Sequence, residues 1–222
     1  MAERVVKRAS AAHIWSTVHL WRSAMSDHPH RRRLLAGSLA TYVALKLPED
    51  AARGQTELMP TPACGEHDEP TVRQTEGPFF KPRSPERSDL RVPGLKGQPF
   101  ELKGLVLTRN CRPVGRVLVD LWHADDAGDY DNTGFRLRGH QYTDAQGRYR
   151  FLTIVPGVYT GRTRHFHVKV QPPGGRVLTT QLYFPDEPKN RSDGLFRREL
   201  SMKVAEAGDG RAGRFDFVLD MG

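Results

Sequence analysis

The sequence contains few cysteines and no long hydrophobic run, and these two absences exclude several classes of protein. Two cysteines in 222 residues are too few for a disulfide-rich scaffold or for a zinc module built on cysteine ligands. No segment approaches the roughly 18 uninterrupted apolar residues of a membrane-spanning helix. The chain also lacks internal repeats and low-complexity segments. With 37% hydrophobic and 27% charged residues, its composition is that of a globular protein.

Negative charge is also in short supply, but the deficit is local. The net charge is +8, of which residues 1–53 contribute +5 and residues 54–222 only +3. Neither a basic helix nor an RNA-reading aromatic motif accompanies this excess. We therefore do not expect nucleic acid to be a partner, and we interpret the N-terminal charge as targeting information.

Arginines followed by a short apolar run give the N-terminus the layout of an export leader. Arg31, Arg32 and Arg33 precede two leucines and a weakly apolar stretch, and this arrangement is similar to the twin-arginine export signal. We expect residues 1–53 to be a leader and residues 54–97 to be an extended arm. The protein would then be exported to the periplasm or out of the cell, without membrane insertion after processing. The alternative is a disordered basic tail on a cytoplasmic protein.

Export would also permit the two cysteines, Cys64 and Cys111, to form a disulfide, because oxidising compartments allow disulfides to persist. Two separate buried thiols are the alternative, and the spacing of the two residues does not decide between them.

From residue 98 onward the chain has short runs of strand-forming residues that are separated by turn residues. Such runs predict an all-β fold, an antiparallel β-sandwich, over residues 98–222. A short helix is expected only between Arg191 and Leu200. The predicted strands are Phe100–Leu107, Val117–Trp122, Tyr149–Ile154, His165–Val170, Val177–Phe184 and Phe215–Leu219.

Two histidines alternate with apolar residues in the most informative segment. Residues two apart on a strand project to the same face. His165 and His167 are therefore expected to point together, while the alternate residues Phe166, Val168 and Val170 face the core. Two imidazoles side by side on one rigid strand form a chelating pair for a metal ion. A lone His-x-His pair is more often structural, so the neighbouring residues decide the interpretation.

Two tyrosines near the histidine pair favour a ferric site. Tyr130 and Tyr159 each follow a glycine-containing turn, where a tyrosine by itself is usually a packing residue at a strand edge. Beside the histidines they suggest a mixed set of imidazole and phenolate ligands. A phenol has an unperturbed pKa of about 10, so holding it as phenolate at neutral pH requires a strong Lewis acid such as Fe³⁺. The residues thus indicate a ferric site with two histidines, two tyrosines and one open position.

The segments around these residues resemble the intradiol ring-cleavage dioxygenases, the group of protocatechuate 3,4-dioxygenase and catechol 1,2-dioxygenase. The resemblance covers about residues 71–187 and depends on the order and spacing of several short motifs. It implies a sandwich of the transthyretin (prealbumin) type. The motifs are Gln74–Phe80, Leu121–Ala124, Gly128–Tyr130, Tyr142–Asp144, Gly147–Phe151, Ile154–Tyr159, Arg162, His165–His167 and Thr180–Phe184.

By position, the resemblance assigns the ligands of a non-haem Fe(III) ion. Tyr130 matches the equatorial tyrosinate, and Tyr159 matches the axial tyrosinate that leaves the iron when substrate binds. His165 matches the axial histidine, and His167 matches the equatorial one.

The resemblance also implies the reaction and its partners. A catechol-type aromatic and O2 are the substrates, and both oxygen atoms enter a ring that is cleaved between its two hydroxylated carbons to a cis,cis-muconate-type diacid. Tyr159 would act as a general base towards the substrate. Arg162 matches the arginine that stabilises negative charge on the ring, and Gln181 matches a polar residue near the same ring position. Family members commonly form homo-oligomers, so we expect one here.

One feature departs from the best-known family members. Only five residues separate Tyr159 from His165, where those members have longer connections that supply part of the substrate pocket. We therefore expect a more open site, which admits bulkier or substituted catechols.

Two other functions remain open on the sequence alone. A non-catalytic transthyretin-like sandwich that binds carbohydrate or protein would explain the strands and turns, but not the joint presence of the tyrosines, the histidines and Arg162. A zinc or copper site on the two histidines, without oxygenase chemistry, would leave the tyrosines unused. Outside the site, we expect His123 and His140 to be structural and Lys169 to be solvated.

Overall fold

Two β-sheets that pack face to face form the framework of the described chain. The computed structural model describes residues 69–221. Two short 3₁₀ helices, Pro188–Arg191 and Arg198–Leu200, are also present, and no helix within this range is long and apolar enough to cross a membrane. The strands are β1 (Pro99–Thr108), β2 (Leu118–Trp122), β3 (Arg138–Tyr142), β4 (Arg148–Ile154), β5 (His165–Gln171), β6 (Leu178–Tyr183), β7 (Lys203–Ala207), β8 (Gly210–Arg214) and β9 (Phe217–Leu219).

The strand order confirms the predicted all-β sandwich. One sheet has the order β4-β1-β8-β7, with β9 also paired to β1, and the other has the order β3-β2-β5-β6. Apolar side chains from both sheets form one core, in which Phe100 and Phe151 of the first sheet lie with Phe166 and Leu182 of the second. Two pairings depart from the antiparallel expectation, because β8 and β9 both run parallel to β1.

Three of the nine strands are not evident in the sequence, because they are polar or rich in glycine. β3 reads RGHQY, β7 reads KVAEA and β8 reads GRAGR. β3 and β7 lie at sheet edges, where partial exposure weakens the apolar alternation that identifies a strand. β8 packs so closely that a Cβ on Gly213 would lie 2.5 Å from Phe100 Cζ. The helix expected between Arg191 and Leu200 is limited to the second 3₁₀ helix.

Residues 69–97 form an extended arm that contacts both sheets. The N–H of Thr71 donates to a carbonyl of β9, that of Gln74 to β6, that of Arg87 to β3 and that of Leu90 to β4, each over 2.8 to 2.9 Å. The arm therefore passes over the four-stranded sheet between its contacts with β6 and β3. This path brings the motif Gln74–Phe80 of the arm to the sheet face that is opposite the core.

Several predictions concern residues outside the described range. The expected leader lies there, as do residues 54–68 of the expected arm and Cys64. Cys111 is disulfide-bonded, but because Cys64 is outside the described residues, the pairing of these two cysteines stays a prediction.

His123 is held neutral inside the sandwich, between the two sheets. The residue is 1% exposed. Its Nδ1 donates to Ala124 O at 2.7 Å, and its Nε2 accepts from Thr153 Oγ1 at 2.6 Å. Burial lowers the pKa of His123 to about 4, despite the opposing hydrogen bond to Ala124. A proton on Nε2 would place a positive charge in the buried core, so protonation favours the unfolded chain.

The lowered pKa of His123 predicts that the folded protein loses stability in acid. Between its ordinary pKa of 6.5 and its folded pKa of about 4, the unfolded chain binds more protons than the folded one, so stability falls as the pH falls through this window. From pH 7 to pH 5 the contribution of His123 is on the order of 2 kcal/mol. Urea unfolding at both pH values, compared between the parent protein and His123→Gln, measures it. An equal pH dependence in the two proteins would contradict the assignment.

Candidate functional site

The alternation along β5 makes one face of the four-stranded sheet polar. Phe166, Val168 and Val170 are fully buried in the core, as predicted, so His165 and His167 project from the opposite face. In register with them, β6 places Tyr183 opposite His165 and Gln181 opposite His167. The floor of the candidate site is therefore a set of polar side chains on a rigid sheet.

The two histidines converge through their Nε2 atoms. These atoms are 3.1 Å apart, and His165 Nδ1 donates to Thr163 O at 2.7 Å, which leaves the His165 Nε2 lone pair available. Burial lowers the pKa of His165 to about 4 and that of His167 well below its usual value. Both imidazoles are therefore neutral at neutral pH, and their separation is that of two cis ligands each about 2.1 Å from one ion.

The structure brings Tyr130 to the histidines and Tyr159 beside Tyr130. The hydroxyl of Tyr130 lies 3.3 Å from His165 Nε2, and the ring of Tyr159 lies 5.9 Å from that of Tyr130, nearly perpendicular to it. Burial raises the pKa of Tyr130 far above its usual value. This phenol therefore ionises at neutral pH only if a strong cation compensates for burial.

Two glycines allow the tyrosine-bearing loops to approach each other. The N–H of Gly157 donates to Asp125 O at 2.6 Å, and a Cβ on Gly157 would collide with Asp126 O and with the N of Gly128. Gly128 has a φ of +94°, and a Cβ there would lie 2.6 Å from Val158 O. Only glycine fits this contact between two backbones, and the contact sets the distance between the two tyrosines.

The arm covers the site with a glycine and a phenylalanine. A Cβ on Gly77, whose φ is +71°, would lie 3.1 Å from His167 Cε1. Phe79 stacks on Tyr130 with ring centroids 4.4 Å apart and meets Tyr159 edge-on at 5.3 Å. The ring of Phe79 therefore contacts both tyrosines at once.

A buried arginine joins the arm to the loop that carries Tyr130. Arg138 is 1% exposed, and it donates to Phe79 O at 2.6 Å and to Asp131 O at 3.1 Å. Trp122, which pairs with Arg138 across β2 and β3, stacks on the His167 ring with ring centroids 5.0 Å apart. Sequence reasoning assigned no role to Phe79 or Arg138, and only their position in the fold identifies them.

Arg162 and Gln181 lie beside the histidines as one hydrogen-bonded unit. Arg162 Nη2 donates to Gln181 Oε1 at 2.7 Å, and its Nε donates to Asp193 Oδ2 at 2.9 Å. Gln181 Oε1 also accepts from Tyr183 Oη at 3.0 Å, and Gln181 Nε2 donates to Thr75 O at 2.9 Å. Neither Asp193 nor Tyr183 was identified from the sequence, since each is an ordinary residue outside any ligand-like spacing.

Lys169 is not solvated, contrary to the expectation. Its Nζ forms an ion pair with Glu76 and lies 3.6 Å from the centre of the Phe80 ring. Both partners belong to the arm, which covers this lysine.

His140 has a structural contact, with its Nδ1 3.1 Å from Ser84 Oγ.

The donor set fits a hard, highly charged metal ion. Within residues 69–221, no three His, Cys, Asp or Glu side chains converge on a site, so the two imidazoles have phenols as the available partners. The Nδ1 atom of His167 is buried without a hydrogen-bond partner, and the ring is held by stacking instead. Neutral imidazoles and phenolates together provide two negative charges, which suit a trivalent cation better than Zn²⁺.

Comparison with known proteins agrees with this geometry. A family model described as Dioxygenase matches residues 75–221. The protocatechuate 3,4-dioxygenase beta chain of Burkholderia cepacia is 32% identical over 152 residues, which cover 55% of this chain and 65% of that one. Catechol 1,2-dioxygenase 2 of Acinetobacter lwoffii is 31% identical over 144 residues, or 53% of this chain and 52% of that one. The chain belongs to the intradiol ring-cleavage dioxygenase family.

Solved structures of this family share the fold. The dioxygenase domain of a dioxygenase carbohydrate-binding protein fusion from the cellulolytic bacterium Streptomyces sp. SirexAA-E has 55% identity and a TM-score of 0.68, covering 69% of this chain and all of that one. The 3-chlorocatechol 1,2-dioxygenase of Rhodococcus opacus 1CP has 28% identity and a TM-score of 0.63, and the match covers 68% of this chain and 73% of that one. The two curated relatives above are longer, and the matched region spans 52% to 65% of their length.

The contact between the tyrosine loops yields a prediction. Gly157→Ala places a methyl group against Asp126 and Gly128, so the loops must separate. We expect the free energy of unfolding to fall by about 1–3 kcal/mol and the affinity for Fe(III) to fall about tenfold. Urea unfolding and an iron titration followed by visible absorbance measure the two effects.

The matched control is Gly194→Ala, because a Cβ at Gly194 meets no atom within 4 Å. It should behave like the parent protein. Parent-like iron affinity and colour in Gly157→Ala would show that this contact does not position the tyrosines.

Proposed function

We propose that the protein is a non-haem Fe(III) intradiol dioxygenase. It would insert both atoms of O2 into a catechol-type aromatic and cleave the ring between the two hydroxylated carbons, giving a cis,cis-muconate-type diacid. The observation that supports this most directly is the convergence of the His165 and His167 Nε2 atoms, 3.1 Å apart, with the Tyr130 hydroxyl 3.3 Å from the first of them.

Four side chains would hold the iron, namely Tyr130, Tyr159, His165 and His167. Ferric iron, when bound, supplies Lewis acidity towards both oxygens of the catechol. Tyr159 sits on a turn that the N–H of Arg162 closes by donating to Tyr159 O at 2.9 Å. Its phenolate would accept a proton from the incoming diphenol.

Arg162 supplies positive charge next to the ring. Its side chain is 16% exposed, so the guanidinium acts in a partly desolvated place where charge interactions are stronger than in water. Arg138 adds a second buried cation near Tyr130. These N–H donors would favour a doubly deprotonated catechol and stabilise negative charge that develops on the ring.

The ring substituents are a further part of the proposal. Matched relatives are named for protocatechuate, catechol, hydroxyquinol and chlorocatechol, so the family fold accommodates several substitution patterns. Here the turn before β5 is short, and a Cβ on Gly161 would meet no atom within 4 Å. We propose that this open edge admits bulky or substituted catechols. Turnover restricted to unsubstituted catechol would contradict the idea.

Export and assembly also stay proposals. The twin-arginine-like leader would carry a folded, metal-loaded protein across a membrane, and a fusion of residues 1–53 to a reporter enzyme tests this by the location of its activity. A homo-oligomer is the proposed assembly, and light scattering of the purified protein measures it. Reporter activity that stays in the cytoplasm would contradict export. A molecular mass equal to that of one chain would contradict the homo-oligomer.

An optical spectrum tests the proposed function directly. Iron-loaded protein should be red to brown, because tyrosinate bound to Fe³⁺ absorbs visible light, and each of a panel of catechols should shift the band before turnover. Oxygen uptake should equal the catechol consumed, and ¹⁸O2 should place two labelled atoms in the diacid. His165→Ala, which removes a ligand, is the colourless control. A pale protein that stays inert towards diphenols after iron loading would reject the function.

Removal of the Arg162 charge separates catalysis from iron binding. Arg162→Ala should retain iron and colour while kcat falls on the order of 10²- to 10³-fold, the usual effect of losing a group that stabilises transition-state charge. Stopped-flow oxygen consumption measures the rate. Arg150→Ala, which removes an exposed arginine paired with Glu101 on the other sheet, is the matched control. An unchanged rate in Arg162→Ala would exclude the assigned role.

A further inference from the structure

Asp193 is a buried carboxylate beside the site, on the connection between the two 3₁₀ helices. Its side chain is 3% exposed and pairs with Arg162 at 2.9 Å. A buried carboxylate destabilises a fold unless its charge and its oxygens are satisfied. Its presence here therefore depends on the groups that donate to it.

The donors to this carboxylate come from two short segments. Asp193 Oδ2 accepts from Arg162 Nε and from the N–H of Thr163, both at 2.9 Å. Asp193 Oδ1 accepts from the N–H of Leu195 at 2.9 Å. Burial acts to raise the pKa of Asp193, but the hydrogen bonds from Thr163, Leu195 and Arg162 outweigh it, so the pKa lies below its usual value. The group is an ionised, fixed anchor at neutral pH.

This anchor determines which part of the Arg162 guanidinium is free. Nε is bound by Asp193, and Nη2 is bound by Gln181 Oε1 at 2.7 Å. Tyr183 and Thr75 hold the Gln181 amide in turn. Within residues 69–221 no hydrogen bond joins Nη1 to another residue. The guanidinium is thus fixed along the edge formed by Nε and Nη2. Its Nη1 atom is left to donate to a ligand of the site.

The same carboxylate also restrains the peptide that leads to the histidines. The N–H of Thr163 donates to Asp193, and the carbonyl of Thr163 accepts from His165 Nδ1 at 2.7 Å. One side chain therefore ties the arginine and the backbone before β5 to the same point.

We propose that Asp193 is the positioning residue that orients Arg162 towards the aromatic ring of the substrate. The proposal rests on the proposed function, because Arg162 has this role only if the site cleaves a diphenol. Without the carboxylate, the guanidinium keeps its charge but loses its fixed direction, and a donor that is misplaced stabilises the transition state poorly.

A double-mutant cycle on iron-loaded protein tests the proposal. Asp193→Asn should lower kcat about 10- to 100-fold with little change in KM, because the loss is in transition-state stabilisation. Iron content and the visible band should stay as in the parent. In an Arg162→Ala background, the same substitution should lower kcat less than about twofold, since the amide oxygen that it leaves can still accept from the N–H of Thr163 and only the effect on the arginine is lost.

Asp216→Asn is the matched control, because Asp216 is also buried and paired with an arginine, Arg214, at 3.2 Å in the other sheet. It should reduce stability without lowering kcat. If Asp193→Asn does not fold, Asp193→Glu takes its place in the double-mutant cycle. This variant keeps the negative charge but displaces it, and the same changes in kcat and KM are expected.

The outcomes separate the two proposals. An active parent protein with parent-like kcat in the Asp193 variant overturns the positioning role, and so does a loss of equal size in both backgrounds, which would mean a general structural effect. A parent protein that is inert towards catechols with iron bound overturns the proposed function itself, and the positioning role with it.

Discussion

The two-residue period of β5 is the constraint on which the rest of the site depends. Phe166 and Val168 are fully buried in the core between the sheets, so His165 and His167 must project to the other face, where their Nε2 atoms lie 3.1 Å apart. A shift of the β5 register by one residue would turn the apolar side chains to the outer face and place both imidazoles in the core. The hydrophobic energy of the sandwich therefore fixes the direction of both imidazole side chains.

The two tyrosines of the candidate site lie on loops, and close backbone packing takes the place of strand register there. Gly128 and Gly157 let two loops touch main chain to main chain, which brings Tyr130 towards Tyr159. Phe79 of the arm then contacts both phenol rings. Loops vary in length and sequence more easily than strands do, and the matched relatives of this chain are named for different aromatic compounds.

Electrostatics make the site selective for one type of cation and one type of ligand. Burial keeps both imidazoles uncharged and opposes ionisation of Tyr130, so a cation that recruits phenolates must be a strong Lewis acid. Around the ligands, Arg162 and Arg138 add positive charge, of which the Arg162 charge is balanced by the buried Asp193. The balance lets the arginine act through directed N–H groups, and not only through its net charge.

The sequence by itself determined the sandwich, its apolar strands and the pairing of His165 with His167, because these follow from periodicity and residue type alone. It also singled out Tyr130 and Tyr159, but their approach to the histidines was decided by tertiary structure, through glycine contacts between distant segments. The polar strands β3, β7 and β8 and the anchor at Asp193 were likewise visible only in the fold. A carboxylate 31 residues from its arginine leaves no local pattern in the chain, and only the packing of the loop beside β5 brings the two charges together.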